Sequence, residues 1–386
     1  MFGENLMSNE KKQLMSDAQY CVRCCMPSTS EGTIFDDLGI CRACQSSEQK
    51  MHINWKERNK KLKLILDQFK ESAGDNYDCL VPISGGKDSA FQLHVLVKVY
   101  GMKPLAVTFS HNWYTEVGTY NLWNILEKLN VDHLMFTPNR GLVNKIAKQS
   151  LYMIGDSCWH CHAGIGSFPL QAAIKFQIPL IIWGESFAEA GHKGSYMDNG
   201  GEPIPFDEEY YLKVSSKVRP EEMVTEDLTM KDLYPFKLPT KKEVTDANIF
   251  GMHLGDYMFW DGERQTEFIK KEYDWKEDDV QGTYKRYKSV ECKMPGVHDY
   301  SKFVKRGFGR TTDHVSQDVR NGLMTREEAF NLIREIEPKR PQVLDEYLEI
   351  TEFSEKEFYD ILKSHRDPDT DFNEIDALIE KDQSAD

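Results

Sequence analysis

The chain has no run of about 18 apolar residues, which is the length that a membrane-spanning helix requires. Residues 1–13 carry several charges and no apolar core, so they do not form a signal peptide. Basic residues are also scarce: 48 lysines and arginines face 63 aspartates and glutamates, giving a net charge of −15. We therefore expect a cytoplasmic, globular protein that has no membrane span and does not bind nucleic acid.

Two short basic clusters, residues 237–242 and 302–310, interrupt this acidic balance. The second could bind a phosphate or a carboxylate as easily as RNA, and a solvated helix face is the simpler interpretation. Internal repeats are absent. The length of 386 residues is enough for one sizeable α/β domain with smaller modules attached.

One stretch, residues 79–89, carries the clearest chemical signal. A short apolar run ends in Ser-Gly-Gly-Lys-Asp-Ser, and a helix-compatible segment follows at once. A strand, a glycine turn and a helix start form an anion cradle, because backbone N–H groups and the helix N-terminus point at the same place. The spacing is not that of a Walker A loop, which has four residues between its first glycine and the Gly-Lys pair.

Each residue of this loop receives a predicted role. Lys87 supplies a positive charge, and Asp88 holds Mg²⁺ against phosphate oxygens. The residues predicted to bind the phosphates directly are Ser84, Gly85, Gly86 and Ser89.

Strands alternate with helices from residue 76 onward, which predicts an α/β fold with a doubly wound parallel sheet. The predicted strands are 80–83, 103–109, 133–137 and 178–183, and the predicted helices are 90–100, 117–129, 142–153 and 168–176. Ligands of such sheets bind beyond the carboxyl ends of the strands. The loops after the four strands should therefore surround one crevice. Thr108 and Ser110 are predicted to lie near a nucleoside there. Gly184 is also predicted to bind the nucleotide, and Glu185 lies around the same crevice.

Two cysteine pairs near the N-terminus have the spacing of a tetrahedral zinc site. The predicted ligands are Cys21, Cys24, Cys41 and Cys44, with Cys25 as an alternative ligand or a bystander. Residues 33–40 between the pairs read as a strand and a turn, as in a zinc ribbon. So short a segment has no core of its own, and zinc would stabilise its fold in place of one. The site is therefore predicted to be structural.

A second set of cysteines lies at Cys158, Cys161 and Cys292. The stretch Cys-Trp-His-Cys-His at 158–162 offers two thiols and two imidazoles, which can bind a metal or present a reactive cysteine. Buried, unreactive thiols are the alternative. We predict that the three sulfurs meet beside the crevice, where they would hold zinc or an iron–sulfur cluster, or remain plain thiols.

The domain prediction divides the chain into five parts. They are an N-terminal extension at 1–19, a Cys₄ zinc-ribbon-like module at 20–50, the sheet domain at 51–250, a helical C-terminal region at 251–366 and an acidic tail at 367–386. The tail should be a solvated helix or frayed. Residues 189–232 form a long insertion, which we expect to be a flexible lid or a substrate loop.

Several blocks together resemble the N-acetyl sugar amidotransferases of lipopolysaccharide O-antigen and nonulosonic acid biosynthesis. The blocks are Cys21-x-x-Cys24 with Met26-Pro27, the 84–89 loop, CWHCHAG at 158–164, IIWGE at 181–185 and GFGRTT at 307–312. The loop alone resembles the signature of the PP-loop ATP pyrophosphatases, whose fold is HUP-like. The similarity spans roughly residues 20–312.

This resemblance implies an enzyme that uses ATP and Mg²⁺ to convert an acetamido group of an N-acetylated sugar into an acetamidino group. AMP and pyrophosphate are released, and a separate glutaminase subunit supplies ammonia. The candidate catalytic residues are Lys87 and Asp88, with Glu185, Lys305 and Arg310 as weaker candidates for substrate or proton handling. The sequence leaves the acceptor sugar open.

Two other functions remain open at this point. One is a PP-loop tRNA-modifying enzyme of the thiolation or lysidine type, in which Cys158 or Cys161 would carry sulfur. The other is a module that binds zinc and ATP without catalysis. The acidic charge and the sugar-family blocks argue against the tRNA enzyme.

Overall fold

The computed structural model describes residues 13–186, 188, 196, 203–205 and 216–384. Its centre is a six-stranded sheet in the order β3-β2-β1-β4-β6-β5. The strands are β1 Cys79–Pro82, β2 Pro104–Phe109, β3 His133–Phe136, β4 Leu180–Trp183, β5 Ile204–Pro205 and β6 Phe250–His253. The first five in this order are parallel, and β5 pairs antiparallel with β6 at the edge. The predicted parallel sheet is confirmed.

Helices cover both faces of the sheet, as its apolar strands require. Within the described residues they are α1 Arg42–His52, α2 Trp55–Ala73, α3 Lys87–His94, α4 Glu116–Leu129, α5 Arg140–Ile154, α6 Trp159–Phe176, α7 Met230–Leu233, α8 Lys241–Asp246 and α9 Gly262–Tyr273. A π-helical turn, Val95–Val99, continues α3. Alternation along β1 sends Val81 into the core beneath α2, α3, α4 and α9, and Leu80 into the core beneath α6 and α8.

Helix α6 begins at Trp159, whereas the sequence predicts a start at residue 168. The reason is that its N-terminal half is enclosed on nearly all sides. Its buried residues there are Trp159, His160, Ala163, Gly164, Gly166 and Ser167. A helix that is buried all round has no polar face, so no amphipathic period is present to predict it. The cysteine motif at 158–162 therefore lies at the start of a helix and not in a loop.

The C-terminal region is helical, as predicted. Its helices are α10 Pro295–Arg306, α11 Arg310–Arg320, α12 Arg326–Ile336, α13 Leu344–Thr351, α14 Glu355–Ser364 and α15 Asn373–Gln383. They share a second hydrophobic core that includes the buried rings of Phe303, Phe330, Tyr347 and Phe358.

Three findings bear on the predicted division of the chain into five parts. The limit at residue 250 cuts through β6, and α9 packs on α3, so the sheet domain extends at least to Tyr273. The stretch from 367 onward is not a solvated tail, because Ile375 and Ile379 of α15 are buried in the C-terminal core. Leu14 and Met15 are buried in the same core, so the end of the N-terminal extension is packed as well.

Most of the 189–232 insertion lies outside the described residues, so the prediction of a lid stays a prediction. The described parts pack against the domain. Ile204 belongs to the edge strand β5, and Met223 and Leu228 are buried with Trp159 of α6. No helix of the described chain combines the length and the apolar composition needed to cross a lipid bilayer.

Glu337, which follows α12, caps the first turn of α11 from inside the protein. The backbone N–H of Thr312 donates to Oε1 of Glu337 at 2.6 Å. The N-cap residue of α11 is Gly309, which has no side chain to cap the helix itself. Burial raises the pKa of Glu337 from 4.5 to about 8. The folded protein therefore keeps a proton in this interval that the unfolded chain has lost.

Unfolding releases that proton, so the contribution of Glu337 to stability falls as the pH rises from 4.5 to about 8. The expected slope is about 1.4 kcal/mol per pH unit. Glu337→Gln keeps the acceptor for Thr312 and removes the titration. Denaturant unfolding of both proteins across this interval should show the variant gaining stability relative to wild type at each higher pH. Parallel curves would contradict the assignment.

Candidate active site

The loop between β1 and α3 is closed by the side chains of its two serines. Ser89 Oγ accepts from the Ser84 N–H at 3.3 Å and donates to the Gly86 carbonyl at 3.0 Å, while Ser84 Oγ accepts from the Gly86 N–H at 3.2 Å. Gly85 has φ +89°, and a Cβ there would lie 2.7 Å from the Gly118 carbonyl oxygen. Only glycine fits this turn. The loop also lies where the chain's direction across the sheet reverses, between β1 and β4, the usual ligand position in such folds.

Lys87 and Asp88 form a buried ion pair at the start of α3. Lys87 Nζ donates to Asp88 Oδ1, and the Trp260 indole N–H donates to the same oxygen at 3.2 Å. Burial alone would raise the pKa of Asp88, but Lys87 and Lys288 hold it below its ordinary value. Burial would likewise lower the pKa of Lys87, and the carboxylates of Asp88 and Glu185 raise it instead. Both groups are therefore charged at neutral pH.

The structure brings Glu291 to this loop, although the sequence offers no reason to select it. Ser84 Oγ donates to Glu291 Oε1 at 3.3 Å, and a Cβ placed on Gly86 would lie 3.0 Å from that oxygen. Its segment is held there because the Thr115 N–H donates to the Glu291 carbonyl at 3.2 Å. Burial raises the pKa of Glu291, and its Oε2 is a buried acceptor without a hydrogen-bond partner among the described residues.

Two basic side chains from the C-terminal part of the chain, Lys288 and Arg310, lie in the surroundings of the loop. Lys288 interacts electrostatically with Lys87, Glu185 and Asp88, and burial lowers its pKa. Arg310, at the start of α11, pairs through Nε with Asp299 Oδ2 at 2.5 Å. Its Nη1 is buried and lacks a hydrogen-bond partner within the described chain. The predicted residues Glu185 and Arg310 therefore both belong to the surroundings of the loop.

Three other predicted residues lie at the carboxyl edge of the sheet but serve its own structure. Thr108 Oγ1 donates to the Ile83 carbonyl at 2.8 Å and also contacts His133, so its hydroxyl is already bonded between strands. Ser110 Oγ accepts from the Asn112 N–H at 3.2 Å. Gly184 follows β4 and packs against the Trp260 ring. Their assignment to ATP binding stays a prediction.

The lysines and Arg306 of the basic cluster at 302–310 have partners within the fold. Lys302 pairs with Asp313 at 3.0 Å, and Arg306 pairs with Glu31. Lys305 donates to the Ile154 carbonyl at 2.7 Å and the Gly155 carbonyl at 3.0 Å, which caps the C-terminal end of α5. Burial lowers the pKa of Lys305 to about 7. These contacts give Lys305 a structural role, and its predicted role in substrate handling stays a prediction.

The four N-terminal cysteines form one buried cluster whose sulfurs all lie within 4.8 Å of one another. The distance is 3.8 Å between the sulfurs of Cys21 and Cys44, and 3.7 Å between those of Cys24 and Cys41. A tetrahedral site with Zn–S bonds of ~2.3 Å requires edges of about 3.8 Å. The cluster therefore fits a metal such as zinc, as predicted. Cys25 is a bystander, because its side chain packs into the C-terminal core.

The thiols of Cys158, Cys161 and Cys292 are electrostatic neighbours of one another. Cys158 also groups with Asp156 and His298. That the three thiols share a metal or a cluster stays a prediction. Cys158 caps α6, Cys161 lies in its first turn, and Cys292 bridges to Tyr114 after β2. Cys158 and Cys292 pack in the same hydrophobic cluster, and Cys292 adjoins Glu291 at the loop.

The donors around the loop fit a phosphate chain with a divalent cation. Backbone N–H groups, two hydroxyls and Lys87 face the anion position, and Asp88 offers a carboxylate to a hard cation. Arg310 Nη1 is a buried donor still available to an anion. The fold and this site define an α/β protein whose sheet has, at its carboxyl edge, a loop suited to an anionic ligand.

Comparison with known protein families shows which proteins the C-terminal region resembles. Residues 281–382 match the family model of the "LPS biosynthesis protein WbpG-like, C-terminal domain". This span contains Lys288, Glu291 and Arg310, so the matched domain supplies one wall of the site. Over these residues the chain is similar to the WbpG-like lipopolysaccharide biosynthesis proteins, which supports the resemblance seen in the sequence.

No curated protein sequence matches the chain. Among solved structures, an NMN synthetase from Francisella tularensis matches with 12% sequence identity and a TM-score of 0.28, over 59% of this chain and 98% of that one. Similarity at this level supports no conclusion about function.

Proposed function

We propose that the protein is a cytoplasmic, AMP-forming amidotransferase that converts an acetamido group of a sugar into an acetamidino group, in surface polysaccharide or nonulosonic acid biosynthesis. The observation that carries the proposal is the Ser84–Ser89 loop with its Lys87–Asp88 pair, placed against a WbpG-like C-terminal domain. The loop is suited to a nucleotide's phosphates, and the domain belongs to a lipopolysaccharide family.

The chemistry explains why ATP is needed. An amide carbon is a poor electrophile, and hydroxide is a poor leaving group. Attack of the amide oxygen on the α-phosphorus of ATP forms an O-adenylyl imidate and expels pyrophosphate. Ammonia then adds to the imidate carbon, and AMP leaves with the former amide oxygen. The remaining carbon bears two nitrogens and is the acetamidine.

The residues of the loop divide this work between binding and charge stabilisation. The N–H groups at the start of α3 and the hydroxyls of Ser84 and Ser89 bind the β- and γ-phosphates. Lys87 offsets negative charge as pyrophosphate leaves, and Asp88 would hold Mg²⁺, which neutralises the same charge. Arg310 and Lys288 add fixed positive charge from the opposite wall.

A cleft suited to the acceptor sugar adjoins the Ser84–Ser89 loop. A cavity of about 680 Å³ lies between the Cys₄ module and helices α9 and α11. Trp260 and Lys288 line it and also interact with Asp88, so the cleft leads to the loop. Its other lining residues include Arg23, Arg264, Glu263 and Asp318. Such a polar, mixed-charge wall suits a hydroxyl-rich sugar.

The nitrogen source is proposed to be ammonia delivered by a glutaminase partner. The sequence has no glutaminase nucleophile motif, and Cys79 is fully buried in β1 with a raised pKa caused by burial. A buried, protonated thiol is not a nucleophile. The chain alone should therefore use ammonium and not glutamine.

The test is an assay of the purified chain with ATP, Mg²⁺, ammonium and a panel of N-acetylated sugars and sugar nucleotides. The expected result is acceptor-dependent AMP and pyrophosphate, with a product whose mass falls by about 1 Da as oxygen is replaced by NH. Formation of ADP, or AMP formation with tRNA and not with any sugar, would refute the proposal.

Glu291 gives a prediction that distinguishes its two effects at the loop. Its carboxylate repels phosphate, and it can also help Asp88 hold the cation. With Glu291→Gln, ATP binding without Mg²⁺ should tighten by about 3- to 10-fold, because one negative charge is removed. The Mg²⁺ concentration needed for half-maximal activity should rise about 10-fold.

Glutamine still accepts from Ser84, so the fold is expected to persist. A suitable control is Glu277→Gln, a half-buried residue whose partners are Lys270 and Arg286 and whose change should alter neither quantity. Unchanged ATP binding and an unchanged Mg²⁺ requirement in Glu291→Gln would show that this carboxylate acts on neither.

A further inference from the structure

A second group of metal-ligand side chains lies at the junction of α5, α6 and α10. Asp156, in the turn after α5, is buried, and its Oδ1 accepts from the Cys158 N–H at 2.8 Å. His298 Nδ1, from α10, lies 3.2 Å from the same oxygen, and His162 Nδ1 lies 3.8 Å from Oδ2. Two segments that are distant in sequence, residues 156–162 and helix α10, therefore converge on one carboxylate.

We propose that Asp156, Cys158 and His298 bind a divalent transition-metal ion of the zinc type, with a coordination position left open. One oxygen, one sulfur and one nitrogen donor lie within 4.8 Å of one another. A tetrahedral ion with ligand bonds of about 2.0–2.3 Å needs its donors about 3.3–3.8 Å apart, so small side-chain movements suffice. The thiol and imidazole select against Mg²⁺ and Ca²⁺, which prefer oxygen ligands.

The alternative is an ion pair between Asp156 and His298 beside an unreactive thiol. The composition of the group favours a metal, because a carboxylate oxygen, a sulfur and an imidazole nitrogen all lie within 4.8 Å of one another. His162 stands beside the group, its ring 5.2 Å from that of His298, and can serve as a fourth ligand or flank the open position. The Cys₄ cluster, which the sequence already indicates, uses none of these residues.

The site borders the crevice described above. Cys158 shares a hydrophobic cluster with Cys292, and Cys292 directly follows Glu291 at the phosphate loop. An ion with an open position there could bind a neutral or anionic oxygen or nitrogen ligand. The proposal rests on these side chains and does not depend on the amidotransferase reaction.

The test is the zinc content of the full chain after loading with Zn²⁺ and removal of free metal. The wild-type protein should hold about two ions, one in each group. Cys158→Ser and His298→Ala should each retain about one, and Asp156→Asn, which keeps the side chain's shape, should do the same. Cys161→Ser is the matched control, because it lies in the first turn of the same helix and should retain both ions.

Two further readouts keep the result independent of activity. Co²⁺ substitution should give a thiolate absorption component that Cys158→Ser removes and Cys161→Ser keeps. Thermal unfolding of each variant identifies any that fail to fold, and anomalous diffraction at the zinc edge should place a peak among the three ligands. One ion per wild-type chain would overturn the proposal. Equal loss in Cys158→Ser, Cys161→Ser and Cys292→Ser would overturn it in favour of a three-thiolate site.

Discussion

Asp88→Asn should lower acceptor-dependent AMP formation by about 10²- to 10³-fold, the usual loss when a transition-state charge partner is removed. Asp88 lies at the first turn of α3, is paired with Lys87 and is held ionised by Lys87 and Lys288. A cation bridging this carboxylate to the phosphates would offset the charge that develops on pyrophosphate. Asparagine keeps the shape and the bond from Trp260 but lacks the charge.

The variant also leaves Lys87 as a buried cation without its ion-pair partner, which can destabilise the protein by several kcal/mol. Turnover is therefore to be measured at a temperature where circular dichroism shows the variant folded. Asp132→Asn is the matched control: it bonds Tyr77 near the amino end of the sheet and should leave turnover unchanged. Full activity of folded Asp88→Asn would remove the loop from the mechanism.

Cys41→Ser should remove one zinc equivalent and unfold the N-terminal module while the parallel sheet persists. Zinc binding is coupled to the folding of small modules and contributes about 10–16 kcal/mol in zinc-finger peptides. The module has few apolar residues of its own: beyond the cysteines, its buried cluster contains Met26, Ile40 and Ala43. The metal would stabilise the fold in place of a core.

The control for this experiment is Cys25→Ala, which removes a neighbouring thiol that is not part of the cluster and should keep the zinc. The Arg326 guanidinium donates to the Cys24 carbonyl at 2.9 Å, so loss of the module should also loosen α12. Hydrogen exchange would show increased exchange in residues 20–50 and α12, with β1 and β2 still protected. A fully folded module in metal-free protein would contradict this account.

The sequence predicts those parts of the site that are local along the chain. The Ser84–Ser89 loop is contiguous, and the Cys₄ ligands repeat a known spacing, so both are recognisable without a structure. The parallel sheet follows from alternating apolar strands and helices. Helix α6 begins earlier than predicted because burial on all sides removes the periodic signal.

The residues that the sequence could not indicate come from distant segments. Glu291 reaches the loop because residues 290–293 run beside residues 113–115, a contact between segments that no local pattern encodes. His298 reaches Asp156 across 142 positions of the chain. The Cys-x-x-Cys spacing at 158–161 points to the thiols but gives no sign of Asp156 and His298, which group with Cys158.

The most direct test of the central claim follows the oxygen of the acceptor amide. The N-acetylated acceptor is prepared with ¹⁸O in its acetamido carbonyl and converted with ATP, Mg²⁺ and ammonium, and the AMP is analysed by mass spectrometry. Adenylylation of the amide oxygen predicts that AMP carries one ¹⁸O atom for each acetamidino product formed. AMP without the label, alongside labelled phosphate or labelled water, would show that the amide is not activated by adenylylation and would contradict the account.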